Sequence, residues 1–331
     1  MKRIPSLDGL RAISITLVVM GHWMSVRYAS QVALSYAILG VRIFFIISGY
    51  LITTLLLKEH AKTSTISLRN FYVRRAYRIL PAAAAFMLPV FVIYWRDLRW
   101  YHALAAALYF ANFDPLRPWF LGHLWSLSVE EQFYFLWPSV LKKWYRHRVG
   151  ILLAVVAVAP MYRVLCYALK VPGGGDETFP AVADNLAIGC LLAIFAARIP
   201  RIRSWAGLCM LLPIAVVPMF LAVTRSRTLL LLFVLWPLMH VSIAGVLLHV
   251  VQTPYRFLNF APVVWLGKIS YSLYLWQQLF AFGHQSKPVY FLLLALGLAC
   301  VSYYLVERPM LRLREERQRE RRLEAAVASA A

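Results

Sequence analysis

SYAILGVRIFFIISGYLITTLLL, residues 35–57, carries a single charged side chain, Arg42, in an otherwise apolar run. A run of about 20 apolar residues is long enough to cross a bilayer core as a helix. The apolar residues are continuous rather than alternating, so the run does not read as a strand of a transmembrane barrel. It predicts a membrane-spanning helix, and its neighbours in the chain repeat the pattern.

Working outward, comparable runs lie at roughly 10–29, 79–95, 149–169, 182–198, 204–224, 228–250, 261–282 and 288–306. The chain has 331 residues, 61% of them hydrophobic, and a mean hydropathy of +0.65. Soluble domains sit nearer half apolar. Residues 96–141 hold two apolar stretches, and the basic loops on either side leave room for one crossing. The other stretch, around residues 101–113, is then re-entrant, interfacial or packed inside the bundle, and the sequence alone leaves its crossing open. The expected architecture is an all-α polytopic bundle of about ten transmembrane helices.

The net charge of +21 would suggest nucleic acid in a soluble chain. Here the cations sit in short segments between apolar runs, which is the positive-inside pattern with attraction to anionic lipid. No nucleic-acid partner is expected. The most basic internal segment, KEHAKTSTISLRNFYVRRAYR (58–78), and KKWYRHR (142–148) are placed in the cytoplasm, as is the N-terminus with Lys2 and Arg3. PGGGDETFP (172–180) is the one acidic loop and falls outside, while Arg225 and Arg227 sit against the rule in a very short loop. Both termini are expected to be cytoplasmic. The division is a transmembrane domain over 1–310 and a basic tail over 311–331 extending the last helix along anionic lipid. The N-terminal run lacks a clear small-x-small cleavage site and reads as a retained span. Cys166, Cys190, Cys209 and Cys300 occur singly; neither a zinc site nor a disulfide framework is indicated, and they read as packing residues.

Ionisable groups within spans are costly and mark function. Arg11 and His22 are eleven residues apart, about three helical turns, so they share a face about 16 Å apart along the axis. Histidine is the side chain suited to take a proton near neutral pH. Arg75 and Arg78 share a helix face and could grip phosphate oxygens. Glu130 and His123, seven apart, also share a face, whereas Glu131 points elsewhere. A buried carboxylate needs a partner, a proton or a watery cavity, and Arg11 and Arg42 are candidate partners. Ser48, Gly49 and Tyr50 interrupt span two, either for close helix approach or to line a cavity. No P-loop, HExxH, GxSxG or dinucleotide fingerprint occurs.

Six stretches in order then carry a resemblance: LDGLRAISITLVVMGH, FFIISGYLIT, FYVRRAYRILP, HLWSLSVEEQFYFLWP, ISYSLYLWQ and the terminal VERP. Together they resemble the acyltransferase-3 family of integral membrane acyltransferases, which includes bacterial polysaccharide O-acetyltransferases. The resemblance covers nearly the whole chain, with Ile46 and Ile47 as a conservative departure. It implies a multi-pass protein of the bacterial cytoplasmic (inner) membrane. It also implies an acyl-CoA donor, most often acetyl-CoA, no metal, and transfer to a hydroxyl of a carbohydrate or small molecule.

The resemblance places the family's Arg–His motif on Arg11 and His22, its RxxR motif on Arg75 and Arg78, and its glutamate on Glu130. Many members add an SGNH esterase-like domain, and this chain resembles the stand-alone form. The expected catalytic residues are His22, Glu130 and Arg11. The expected donor-binding residues are Arg75, Arg78 and Arg11, with Ser48, Tyr50 and His123 as further cavity candidates. Acyl-CoA, a hydroxyl acceptor and membrane lipid are the expected partners. A transporter or flippase for a glycolipid or acylated substrate is the reading from another class that a polar seam would equally suit.

Overall fold

The computed structural model describes residues 5–171, 175–224, 229–281 and 289–330. Lys2, Arg3, Arg225 and Arg227 of the charge argument lie outside these residues. The described residues are helical, with no strand among them.

The first three helices are α1 (Pro5–Arg27), α2 (Gln31–Thr63) and α3 (Leu68–Ile93). Ser30 caps α2 by accepting from the Ala33 amide at 3.2 Å, and Ser67 caps α3 through the Asn70 amide at 3.4 Å. Each removes one of the orphan amides of a helix start. The basic loop between α2 and α3 closes on Glu59, which accepts from the Ser67 amide and pairs with Arg74 at 3.1 Å.

Residues 96–141 resolve into unequal parts. Helix α4 (Trp100–Ala107) has eight residues, or roughly 12 Å of rise, and is too short to cross. Irregular backbone follows, and then α5 (Leu124–Lys143) spans 20 residues. Backbone without helical bonds survives at depth only where protein covers it, and the coverage is explicit. Arg117 donates to the carbonyls of Gly122, Ala111 and Asp114 and pairs with Glu177. Gln132 of α5 exchanges amide hydrogen bonds with Asn112 and donates to the Tyr109 carbonyl at 2.8 Å. His102 pairs with Asp114. The packed alternative is therefore the one adopted for residues 101–113.

The remaining helices are α6 (Arg148–Ala168), α7 (Phe179–Phe195), α8 (Ser204–Cys209), α9 (Leu211–Thr224), α10 (Trp236–Gln252), α11 (Ala261–Ala281), α12 (Tyr290–Ser302) and α13 (Arg308–Ala330). The expected span at 204–224 is broken at Met210, between α8 and α9. One π-helical turn, Leu231–Leu235, leads into α10, and another, Tyr303–Glu307, joins α12 to α13. Six helices among the described residues are long and apolar enough to cross a membrane; Phe179–Phe195 and the Ser204–Phe220 stretch across the α8–α9 break are apolar but shorter. Cys166 and Cys190 are buried, as packing residues should be, but Cys209 is exposed and does not fit that expectation.

Helix α2 is the hub, packed against α1 on one side and α7 on the other, while α1 also packs along α11. The α2–α7 approach is as close as backbones allow. A Cβ on Gly49 would strike the Leu186 carbonyl, and one on Gly189 would strike the Ile46 carbonyl. Apolar surface gives no association force between helices in lipid, so small residues that admit backbone contact supply it.

A buried ionic network fastens the same region. Arg163 of α6 donates twice to Asp184 of α7 at 3.0 Å. His240 of α10 lies 3.6 Å from that carboxylate and 2.9 Å from Arg42 of α2. Arg42 and Arg163 both lie over the Trp236 ring, at 4.1 and 4.8 Å. Arg42, expected as a partner for Glu130, is thus taken up by α10.

Two stability predictions follow from this packing. Gly189→Leu must separate α2 from α7 and is expected to cost at least roughly 1–3 kcal/mol, read as a lowered melting temperature in detergent. Asp184→Asn leaves two buried guanidinium groups without their carboxylate and is expected to cost roughly 3–5 kcal/mol by the same measurement.

Candidate functional site

Five helices surround a cavity of about 80 Å³. Arg11 comes from α1, Ser48 from α2, and Arg75 and Arg78 from α3. Helix α5 adds Ser126, Glu130 and Tyr134, and α11 adds Ser270, Tyr271 and Tyr274. A whole small-molecule ligand occupies roughly 300–1,000 Å³, so this space seats one group of a ligand rather than all of it.

Local sequence explains how each side chain arrives there. Arg75 and Arg78 are one turn apart on α3, and Arg74, next to Arg75 in sequence, is drawn off by Glu59. Glu130 faces the cavity while Glu131, next in sequence, does not line it. The Glu130 carboxylate accepts from the Ser48 hydroxyl at 2.6 Å, and Tyr134 donates to Ser48 at 3.1 Å. The Arg75 guanidinium lies 3.8 Å from the Tyr134 ring centroid. Arg11 pairs with Asp8 one turn earlier at 3.5 Å, and lies near enough to Arg75 and Arg78 to feel their charge. Three guanidinium groups thus face one carboxylate across a small void. Even with Asp8 set against Arg11, guanidinium groups outnumber carboxylates, the walls are apolar and aromatic, and the arrangement suits an anion with several oxygens.

His22 stands beyond this cavity. Its Nδ1 is 3.2 Å from Gln277 Oε1 on α11. Since α11 also lines the cavity beside Arg11, Arg11 and His22 share the α11-facing side of α1, as their spacing predicts. His123 lies just ahead of α5, buried, with its ring against Phe86 and Tyr274 at 5.3 and 5.4 Å. Its carbonyl accepts from the Tyr274 hydroxyl at 2.8 Å. Tyr50 is buried on another side of α2, among residues of α7 and α10. Of the eight residues singled out from sequence, the cavity gathers Arg11, Ser48, Arg75, Arg78 and Glu130; His22, Tyr50 and His123 lie outside its wall.

Sequence reasoning attached no role to Ser126, Tyr134, Ser270, Tyr271, Tyr274 or Gln277. A signal was present in ISYSLYLWQ, where Ser270, Tyr274 and Gln277 recur at spacings of four and three, one face of a helix. Among the described residues no group of His, Cys, Asp or Glu is arranged to hold a metal ion.

The sequence profile described as an acyltransferase domain matches residues 4–307. The chain belongs to the acyltransferase-3 family. Among its relatives is the peptidoglycan O-acetyltransferase OatA of Listeria monocytogenes, 30% identical over 316 residues, covering 83% of this chain and 49% of that protein. A putative peptidoglycan O-acetyltransferase of Bacillus subtilis, YrhL, is 29% identical over 362 residues, covering 93% of this chain and 55% of that protein. A putative O-acetyltransferase of Staphylococcus aureus strain COL is 27% identical over 355 residues, covering 93% of this chain and 57% of that protein. The chain spans about half the length of these relatives. No solved structure shows significant similarity to it. Of the two classes the sequence left open, the family match favours the acyltransferase, in a bundle with six helices long and apolar enough to cross a membrane among the described residues.

The wall itself yields a prediction. Tyr134→Phe removes a hydroxyl that donates to Ser48 and leaves the ring under Arg75 intact. It is expected to cost about 1 kcal/mol of stability, whereas Tyr134→Ala is expected to cost more and to weaken anion binding. Thermal unfolding with and without added pyrophosphate separates the two effects.

Proposed function

We propose that this protein moves an acyl group, most often acetyl, from acyl-CoA to a hydroxyl of a glycan acceptor of the cell envelope. The observation that carries the reading is the convergence of Arg11, Arg75 and Arg78 on one small cavity, in a chain matched to an acyltransferase domain over 4–307. Guanidinium forks complement phosphate oxygens, and the donor is a phosphorylated thioester. Two of the relatives cited are named for peptidoglycan, and that name supports a carbohydrate acceptor here.

The donor's phosphates dock on the arginine cluster, and its thioester arm runs along the α1–α11 seam toward His22. The acceptor oxygen attacks the thioester carbonyl while its proton passes to His22. The C–S bond of the tetrahedral intermediate breaks, and the departing thiolate takes the proton back from the imidazolium. Products are the acyl ester and the free thiol, with no net change in protons. Glu130, held by Ser48, limits the positive charge of the cavity so that the donor can leave after transfer. In this reading the arginine end faces the cytoplasm, where acyl-CoA is made, both termini lie on that side, and the bundle is a ten-span protein of the cytoplasmic membrane.

Two variants test it with purified protein, labelled acetyl-CoA and a soluble glycan acceptor. His22→Ala is expected to lower kcat at least ~100-fold with donor binding retained. Arg75→Ala is expected to raise KM for acetyl-CoA about tenfold or more, as loss of a charge-assisted contact should, with a smaller effect on kcat. Full transfer by a well-folded His22→Ala protein overturns His22 as the base.

A further inference from the structure

The hydrogen-bond chain behind His22 has a direction that its far end dictates. Gln278 Nε2 lies 2.9 Å from the Trp119 carbonyl oxygen, which can only accept. The Gln278 amide nitrogen therefore faces Trp119, and its Oε1 faces the other way. Gln277 Nε2 donates to that Oε1 at 3.4 Å. This in turn points Gln277 Oε1 at His22 Nδ1, 3.2 Å away. An amide oxygen also can only accept, so Nδ1 must supply the hydrogen.

Amide and imidazole orientations in a structure are set by their networks, and here the network ends on a backbone atom that cannot reverse. Gln277 and Gln278 are nearly fully buried, so neither can turn to water for an alternative partner. Trp119 belongs to the irregular segment ahead of α5, which Arg117 and Gln132 hold in place. A chain fixed at one end by the packed segment thus reaches the ring at the other.

We infer that Gln277, backed by Gln278 and the Trp119 carbonyl, is the positioning residue that holds His22 as its Nδ1–H tautomer, so that Nε2 carries the lone pair that takes the acceptor's proton. The inference rests on the reading of His22 as the base and adds which nitrogen acts and what selects it. A neutral amide suits the task. It orients the ring and offers its oxygen to the imidazolium, yet adds no charge to a cavity already set by three arginines and one carboxylate. Among the described residues, His123, from the segment ahead of α5, is close enough to the ring for their charges to interact, with Arg117 near His123. On α1 the nearest is Arg27, five residues on and turned away from the His22 face, then Arg11, three turns back on the same face, while α2 meets the adjoining Gly21 with Ala33 and Ala37. No carboxylate is hydrogen-bonded to Nδ1 among the described residues, so the amide takes the place an aspartate often fills behind a catalytic histidine.

The test uses the full chain in detergent with isotope-labelled histidine. The nitrogen NMR signals lost in His22→Ala are those of His22. In the wild-type protein they are expected to show Nδ1 protonated and Nε2 bare, and in Gln277→Leu a mixture of tautomers. Gln277→Leu is expected to lower kcat roughly 10–100-fold while KM for acetyl-CoA stays within about twofold. Gln277→Glu keeps the shape; its carboxylate is expected to favour the imidazolium and move the acid limb of the pH–kcat profile to higher pH. A protonated Nε2 in the wild type, or wild-type kcat and tautomer in Gln277→Leu, overturns the inference. If instead the tautomer is as expected but His22→Ala retains transfer, the positioning stands and the reading of His22 as the base falls.

Discussion

A hydrocarbon core supplies no water to a buried charge, so every guanidinium or carboxylate inside this bundle must be answered by protein. The way each is answered divides the interior in two. At the α2–α6–α7–α10 junction, Arg163 and Arg42 are met by Asp184, His240 and the Trp236 ring, all in contact. On the other side of α2, Arg11, Arg75 and Arg78 border a void with Glu130 as the one carboxylate in its wall. The first cluster is closed on itself and fastens helices. The second has positive charge in excess and room beside it, which is the condition for receiving an anion.

Both clusters depend on α2 being reachable from two sides. Gly49 and Gly189 let α7 approach until backbones touch, bringing Asp184 toward Arg42. The opposite face of α2 then offers Ser48 to Glu130. A wider α2–α7 spacing would loosen the ionic junction and move the floor of the cavity together. Helix α11 plays the matching part for α1. It walls the cavity beside Arg11 with Ser270, Tyr271 and Tyr274, then holds His22 through Gln277.

Much of this was legible in residue order. Helix geometry puts both Arg74 and Arg75 near the face of Arg78; the RxxR resemblance is what singled out Arg75 and Arg78, and the cavity contains that pair. Glu130 could be told from Glu131 because adjacent residues of a helix point to different faces. The partners were not legible. Arg42 and Arg11 both looked able to answer Glu130; Arg11 shares its cavity, but the hydrogen bond to the carboxylate comes from Ser48 and Arg42 goes to His240 across 198 residues of sequence. The irregular stretch before α5 was equally opaque. Its apolar composition fitted a crossing, and only the bonds from Arg117 and Gln132 explain why it stays packed and uncrossed.

Taken alone, the sequence determined the class of the molecule and the residues that would be costly to bury. Apolar runs of membrane length, basic loops between them and the face shared by Arg11 and His22 are properties of short segments, and helical geometry carries most of them into the fold, the run broken at Met210 being an exception. Tertiary structure decided which costly residues meet one another, which lie behind the cavity, and which way the hydrogen bonds run. Those outcomes depend on close approach between helices distant in sequence, and on a chain of amides whose direction is set by one backbone carbonyl at Trp119. No local pattern encodes either, because each exists only once the helices are packed.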